Sequence, residues 1–269
     1  MKMTFENVLQ QVTALKREYG RLLTNIVPGA MNRELEYELL REGAGIVVIA
    51  HEPYRKRGYF ATKDEITLIG LLQGLPENIV FEWIYRDENV LEEIMEKAGI
   101  ELYATYIRHT CVWDENPYET QARGNALLQE LYEPDCGEYA RMSDAKELCE
   151  LSKSVFDVNC DDVFTVEEWQ EIIARKEVLV YRENNKILSC YVWRLEGNKL
   201  YSNISINLGP ANILYNLERR VLEEMWDKGV RVTCAWRNMR NKKAVQRMGD
   251  LPERTQIMYN AIYKTGASD

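Results

Sequence analysis

Histidine is scarce in this chain of 269 residues, and cysteine is scattered. Only two histidines occur, His51 and His109, which leaves a nucleophilic triad of the Ser-His-Asp type little choice of base. The six cysteines are spread along the chain without a Cys-x-x-Cys pair, so we expect no metal site built from cysteine and histidine. Scattered, reduced thiols are typical of a cytoplasmic protein, and we expect that location.

Long apolar runs are also lacking. The longest, residues 45–50, has the length of a strand, and we predict a buried strand at 45–51. The first 20 residues are charged and amphipathic rather than apolar. We therefore expect no signal segment and no membrane span, which needs about 18 or more apolar residues. Basic residues are outnumbered, with 34 Lys+Arg against 43 Asp+Glu and a formal net charge of -9, which argues against nucleic acid as a partner.

What the chain does contain is enough apolar sequence, 46% of its residues, to bury two cores of ordinary size. Alternating strand and helix patterns predict an α/β (α+β) protein of two lobes. A polar, proline- and glycine-punctuated stretch at 113–137 separates them. We place one lobe at 1–135, including a connecting helix at 120–132, and the other at 136–269.

A possible internal repeat runs through both lobes. Residues 229–263 have the pattern of a buried strand, a polar turn, a short helix and a second strand, and 79–109 carry a fainter copy in the same order. Trp83 and Trp236 lie near the ends of the corresponding first strands. This order favours a duplication, while two unrelated α/β units remain the alternative.

Two local patterns in the first lobe carry specific predictions. Residues 33–41 have the apolar spacing of a short helix. The basic run Arg55-Lys56-Arg57-Gly58 could hold a phosphate, but it precedes a strand rather than a helix. We therefore expect this run to be a solvated hairpin turn.

The element order of 138–264 and the motif Asn241-x-x-Ala244 resemble the GNAT superfamily of acyl-CoA-dependent acetyltransferases. The resemblance implies that each lobe is a mixed, mostly antiparallel sheet flanked by helices. In that family the sheet splays open between its fourth and fifth strands. The pantetheine arm of acetyl-CoA, or of another acyl-CoA, lies in the splay and pairs with the fourth strand. Its pyrophosphate lies on backbone N–H groups at the start of the next helix, where a helix attracts anions. By position, the fourth strand is Lys199–Ile206 and the pyrophosphate turn is Asn207–Ile213.

The resemblance also implies site residues. The implied cofactor-binding residues are Ile206, Asn207, Leu208, Gly209, Ala211 and Asn212. Asn241 matches the family asparagine that helps seat the cofactor or the reacting carbonyl. Tyr259 would replace a family tyrosine close to the cofactor sulfur, whose position here is Met248. The turn is shorter than the family's, lacks its arginine and contains Pro210, which has no amide donor. The first lobe departs further, so we expect it to be degenerate and non-catalytic.

The resemblance implies an acyl-CoA-dependent N-acetyltransferase acting on the amine of a small molecule, without a metal. If the acidic charge is concentrated at the groove it would favour a cationic acceptor, whereas a basic groove would favour a phosphorylated or carboxylate-bearing one. Two alternatives remain. A non-catalytic binding module with this fold would suit the irregular turn at 207–212. An aminoacyl transferase is also possible, since tandem lobes of this fold occur in enzymes that use charged tRNA, although the net charge of -9 argues against it.

Overall fold

The structure is a computed structural model that describes residues 1–117, 130, 132–242 and 252–266. The predicted connecting helix at 120–132 lies almost entirely outside these residues, as do Ala244 and Met248. The described helices are α1 Phe5–Tyr19, α2 Glu65–Leu72, α3 Glu92–Lys97, α4 Ala145–Val155, α5 Val166–Ala174 and α6 Ala211–Asp227.

The strands form one continuous mixed sheet. They are β1 Lys2–Met3, β2 Leu23–Thr24, β3 Tyr37–Arg41, β4 Gly45–His51, β5 Lys56–Thr62, β6 Ile79–Tyr85, β7 Glu101–Val112, β8 Glu138–Tyr139, β9 Val178–Glu183, β10 Lys186–Glu196, β11 Lys199–Asn207, β12 Val232–Asn238 and β13 Thr255–Lys264. Their order is β1-β3-β4-β5-β6-β13-β7-β12-β11-β10-β9-β8, with β2 on β5. The pairs β5–β6 and β11–β12 are parallel, and the other described pairs are antiparallel. The predicted α+β class with a mixed, mostly antiparallel sheet is confirmed.

Strands from the two parts of the chain interleave at the middle of this sheet. We call β1–β7 with α1–α3 the amino-terminal half, and β8–β13 with α4–α6 the carboxy-terminal half. β7 lies between β12 and β13, while β13 lies between β6 and β7. The last strand of the chain therefore completes the sheet of the amino-terminal half. The boundary near residue 135 stays a prediction.

Helices cover both faces of the sheet. In the amino-terminal half, α2 and α3 bury Leu68 and Met95 on one face, and α1 buries Val8 on the other. In the carboxy-terminal half, α4 and α5 cover one face of β9–β11 around the fully buried Trp169, and α6 covers the opposite face through Leu217. Each such buried side chain contributes about 1.5–3 kcal/mol, so these layers hold the central strands in place.

The predicted strand at 45–51 is confirmed by β4, but the predicted helix at 33–41 is wrong. Residues Tyr37–Arg41 form β3, which pairs with β4. Leu39 and Leu40 pack against different cores on opposite faces of the sheet. Successive side chains point to opposite faces in a strand, whereas a surface helix buries a single stripe. Packing on both faces of the sheet thus favours a strand at 37–41, although the local apolar spacing is that of a helix.

Candidate active site

The sheet opens between β11 and β12 in the carboxy-terminal half. The two strands pair in parallel only from Lys199 opposite Val232 to Ser202 opposite Ala235. β11 then continues to Asn207 and β12 continues to Asn238. We call the space between 203–207 and 236–238 the carboxy-terminal cleft. This is the opening between the fourth and fifth strands that the resemblance predicts.

A β-bulge lies where the carboxy-terminal cleft begins. In the pairing of β10 with β11, Val192 faces Ile204 and Trp193 faces Ser202, so Asn203 has no opposite residue. The bulge reverses the side-chain alternation of β11. Leu200 before it packs in the α6 core, whereas Ile204 after it packs in the α4 and α5 core. Bulges often re-aim a strand beside an active site, and this one lies at the vertex of the cleft.

The turn after β11 uses its first amides internally. The carboxamide oxygen of Asn207 accepts hydrogen bonds from the Gly209 amide at 3.1 Å and from the Ser189 hydroxyl at 2.5 Å. The Leu208 amide donates to the carbonyl oxygen of Leu188 at 2.8 Å. The turn is therefore closed on itself, and the amides of Leu208 and Gly209 already have acceptors.

The start of α6 offers further donors. Pro210 is the N-cap and makes no side-chain capping bond, and the first turn contains no acidic residue. The Ile213 amide donates to the Pro210 carbonyl oxygen at 3.1 Å. The amides of Ala211 and Asn212 belong to the first turn, where an α-helix provides no acceptor. Two donors at the positive end of a 17-residue helix are thus suited to an anion.

The two predicted catalytic residues lie in different places. Asn241 is exposed just after β12, and its amide donates to the carbonyl oxygen of Asn238 at 3.0 Å. Tyr259 lies on β13, which β7 separates from β12, and its ring stacks on Tyr85 of β6 at 5.3 Å. The structure therefore groups 206–212 at one side of the cleft and Asn241 beyond β12, and it places Tyr259 two strands away from β12, beside β6. Their roles stay predictions.

Sequence reasoning missed two residues beside the cleft. Trp236 is the first residue of β12 beyond its pairing with β11. The guanidinium of Arg108 lies over the Trp236 ring, 5.1 Å from its centroid. Arg108 comes from β7, so only the long-range pairing of β7 with β12 brings it here. No local pattern in the sequence signals this contact.

The loop between α4 and α5, residues 156–165, packs beside Trp236. Two tyrosine hydroxyls of β7 hold it, since Tyr103 donates to the carboxylate of Asp157 and Tyr106 donates to that of Asp161. The other oxygen of Asp161 accepts from the Asp157 amide at 2.9 Å. Burial raises the pKa of Asp161. Because both of its oxygens accept hydrogen bonds, we assign Asp161 to anchoring this loop.

The amino-terminal half has a corresponding opening that is filled. β5 and β6 pair in parallel only as far as Gly58 opposite Phe81. Beyond that point the Asn25 side chain enters between them. Its nitrogen donates to the carbonyl oxygens of Gly58 at 3.1 Å and Glu82 at 3.3 Å, and its oxygen accepts from the Phe60 amide at 2.7 Å. One side chain thus joins both edges of the opening.

The neighbouring residue completes this closure. The Thr24 hydroxyl donates to the Phe60 carbonyl oxygen at 2.7 Å, and β2 pairs with β5 at Ala61 and Thr62. The helix that follows β5 is capped by the carboxylate of Asp64, which accepts from the Thr67 amide at 2.8 Å. A carboxylate at this helix start repels another anion. These features support the expectation of a degenerate amino-terminal half.

The basic run at 55–58 begins at the hairpin turn between β4 and β5, as predicted, but its two arginines are not solvated, and that part of the prediction is wrong. The Arg55 side chain is only 7% exposed, and its Nε lies 2.9 Å from the Glu52 carboxylate. Arg57 on β5 contacts Glu52 at 2.8 Å and Glu82 at 3.1 Å. Burial raises the pKa of Glu82. Both arginines are drawn inward because three carboxylates surround them, the third being Asp162 at 3.6 Å from Arg55.

Comparison with solved structures identifies the fold. A GCN5-related N-acetyltransferase from Sphaerobacter thermophilus is 11% identical, with a TM-score of 0.53 over 96% of this chain and 91% of that one. A putative GNAT-family acetyltransferase from Novosphingobium aromaticivorans is 12% identical, with a TM-score of 0.50 over 85% of this chain and 92% of that one. The chain has the GNAT fold. No protein-family model and no curated protein matches its sequence.

Two further observations concern the described part of this GNAT fold. No helix among the described residues is long and apolar enough to cross a membrane. Within the same residues, no three His, Cys, Asp or Glu side chains are grouped so that they could hold a metal ion.

Proposed function

We propose that the protein is an acyl-CoA-dependent N-acyltransferase acting on the amine of a small molecule. The carboxy-terminal cleft is its active site, and the amino-terminal half is a scaffold. The contrast between two equivalent strand edges carries this proposal. Beyond Gly58, main-chain groups of β5 form hydrogen bonds with the side chains of Thr24 and Asn25. No described residue pairs with the cleft edge of β11 beyond Ser202.

The donor set of the carboxy-terminal cleft fits an acyl-CoA. The main chain of 203–206 offers alternating N–H and C=O groups, which suit the amides of a pantetheine arm in the manner of an added strand. The amides of Ala211 and Asn212 suit the pyrophosphate. Asn203 has no opposite residue on β10. Its N–H and C=O groups lie where β11 and β12 separate, and the pairing of β10 with β11 does not use them. A donor there would stabilise an oxyanion.

When bound, an acyl-CoA supplies an activated thioester carbonyl, so the protein has mainly to align the amine with it. Trp236 and the loop 156–165 form the wall along which an acceptor would lie. The tyrosine–aspartate bonds of Tyr103 and Tyr106 fix this loop to β7, and a fixed wall favours a defined approach of the amine. Asn241 keeps its predicted role of seating the cofactor or the reacting carbonyl. Tyr259 lies two strands from β12 and stacks on Tyr85, so we assign it no role beside the carbonyl.

The experiment that tests this proposal removes one donor at the start of α6. The substitution Ala211→Pro deletes an amide at a position where proline is tolerated in a helix. Calorimetric titration should show a Kd for acetyl-CoA about tenfold higher or more, because a charge-assisted hydrogen bond is lost. The Kd for S-acetylpantetheine, which lacks the pyrophosphate, should not change.

The matched control is Glu65→Pro, since Glu65 holds the equivalent first position of α2 in the amino-terminal half. It should leave the affinity for acetyl-CoA unchanged. If wild-type protein shows no saturable binding of acetyl-CoA at millimolar concentration, the proposal is wrong.

A non-catalytic binding module is the second candidate. Its support is the turn after β11, where Leu208 and Gly209 use their amides internally and Pro210 has none. This candidate predicts that the protein binds acetyl-CoA weakly or not at all. It also predicts that no amine accelerates the release of free thiol.

A further inference from the structure

We propose that the acceptor carries an anionic group, a carboxylate or a phosphate, beside its amine, and that Arg108 binds this group. This inference rests on the proposed acyltransferase function and adds the class of its substrate.

Arg108 lies next to the vertex of the carboxy-terminal cleft. It faces Trp236 of β12 on one side and Met258 of β13 on the other. Since paired residues share a face of the sheet, these three side chains lie on the same face. Burial raises the pKa of Tyr201 on β11, and the charge of Arg108 opposes that rise. Arg108 is therefore placed at the end of the cleft where β11 and β12 part, one strand away from it.

The charge of Arg108 has no counter-ion among the described residues. The ion pairs of the described chain do not include it. One terminal nitrogen lies 2.6 Å from the sulfur of Met258, a weak acceptor, and Nε is buried without an acceptor in the described residues. A guanidinium is always charged, and here Nε lacks both water and an acceptor although the side chain as a whole is half-buried, which is unfavourable for that N–H group. Such a group is suited to a ligand that brings the missing negative charge.

The other charges nearby do not neutralise Arg108. Arg194 lies on β10, over the ring of Tyr201 at 5.4 Å, but it is paired with Glu196 at 2.7 Å. The carboxylates of Asp157 and Asp161 are held by tyrosine hydroxyls of β7, and neither forms an ion pair with Arg108. In a chain whose net charge is -9, Arg108 thus carries a positive charge that no carboxylate pairs with among the described residues.

The chemistry of the guanidinium selects the kind of ligand. Its planar fork matches the two oxygens of a carboxylate or phosphate, and the Trp236 ring below it limits its orientation. An acceptor held by such an anion would present a neighbouring amine toward the cleft. That amine forms an N–C bond to the acyl carbon as the C–S bond breaks. Of the three ammonium protons, one stays on the amide, one goes to the thiol and one to solvent.

The test uses pairs of amines that differ in the anion. α-Amino acids are compared with their amides, and O-phosphoethanolamine with ethanolamine, by the release of free thiol from acetyl-CoA. Wild-type protein should prefer the anionic member of one pair, and the pair that responds tells carboxylate from phosphate. Arg108→Gln should lower kcat/KM for that member about 10- to 100-fold, mainly through KM, and change the neutral member less than about twofold.

Three controls make the result specific. Arg194→Gln removes a nearby cation that already has a partner and should stay within about twofold of wild type. Arg108→Lys, which keeps the charge but loses the fork, should be intermediate. Arg108→Gln should leave the Kd for acetyl-CoA unchanged. Equal losses for anionic and neutral amines, a weaker affinity for acetyl-CoA, or no preference for either anionic class would each overturn the proposal.

Calorimetry separates this proposal from the acyltransferase function on which it rests. The same anionic amines are titrated into wild-type and Arg108→Gln protein without acetyl-CoA. Binding that depends on Arg108, in a protein that does not bind acetyl-CoA, would support the anion site and contradict the acyltransferase. If the protein binds acetyl-CoA but Arg108→Gln does not change the binding of the anionic amines, the result would support the acyltransferase and contradict the anion site.

Discussion

The carboxamide oxygen of Asn25 accepts a hydrogen bond from the amide of Phe60 at 2.7 Å. This contact satisfies a main-chain group of β5 at a place where the equivalent strand of the other half, β11, has an edge without a described partner. The two openings of this GNAT fold therefore differ in kind. One is closed by the protein's own chain, and the other has a strand edge without a described partner, where we propose that the acyl-CoA binds.

Replacing Asn25 with alanine should destabilise the protein without affecting the proposed site. The change leaves the Phe60 amide and two carbonyl oxygens without their side-chain partner. We expect a loss of about 2–3 kcal/mol in the free energy of unfolding, measured by urea denaturation. The Kd for acetyl-CoA should be that of wild type, and a large change in this Kd would contradict a scaffold role for the amino-terminal half.

The second prediction concerns the contribution of the ion pairs of Arg57 to the free energy of unfolding. Arg57→Gln leaves the largely buried carboxylates of Glu52 and Glu82 short of positive charge. Removing one partner of a buried ion pair typically costs about 3–5 kcal/mol, and we expect a loss in that range. Arg194→Gln is the matched control, because its pair with Glu196 is half exposed and should contribute about 1 kcal/mol or less. Equal effects of the two substitutions would contradict a buried network.

His109 should make stability depend on pH. Its ring is buried, and Nδ1 has no hydrogen-bond partner among the described residues. Burial lowers its pKa from the ordinary 6.5, so the unfolded chain binds a proton at a higher pH than the folded protein does. The contribution of His109 to stability is therefore present above pH 6.5 and falls as the pH drops through that value.

Denaturation at several pH values checks this dependence. The free energy of unfolding of wild type minus that of His109→Gln should be smaller at pH 5.5 than at pH 7.5. A difference that is constant across this range would contradict the prediction.

The Tyr106–Asp161 bond should hold the loop 156–165 in place. Tyr106→Phe removes the hydroxyl that donates to Asp161 and accepts from the Asn238 side chain at 3.1 Å. We expect a loss of about 1–2 kcal/mol, with faster amide exchange in the loop. A double-mutant cycle with Asp161→Asn measures their coupling. Additive effects of the two substitutions would contradict the bond.

The sequence predicted local elements better than it predicted the site. The buried strand at 45–51 has a short-range apolar pattern that burial reinforces. The interleaving of β7 and β13 depends on pairing between distant residues, so no local pattern contains it. For the same reason, Asn25 and Arg108 were not predicted. The inward turn of Arg57 was missed because its partners, Glu52 and Glu82, meet it only in the folded sheet.

Amide hydrogen exchange with and without acetyl-CoA tests the central claim most directly, since exchange reports each half of the chain separately. Acetyl-CoA should slow exchange in 203–213, which covers the edge of β11 and the start of α6, and leave 59–67 of the amino-terminal half unchanged. Protection at 59–67, or none at 203–213 under saturating acetyl-CoA, would contradict the assignment of the site to the carboxy-terminal cleft.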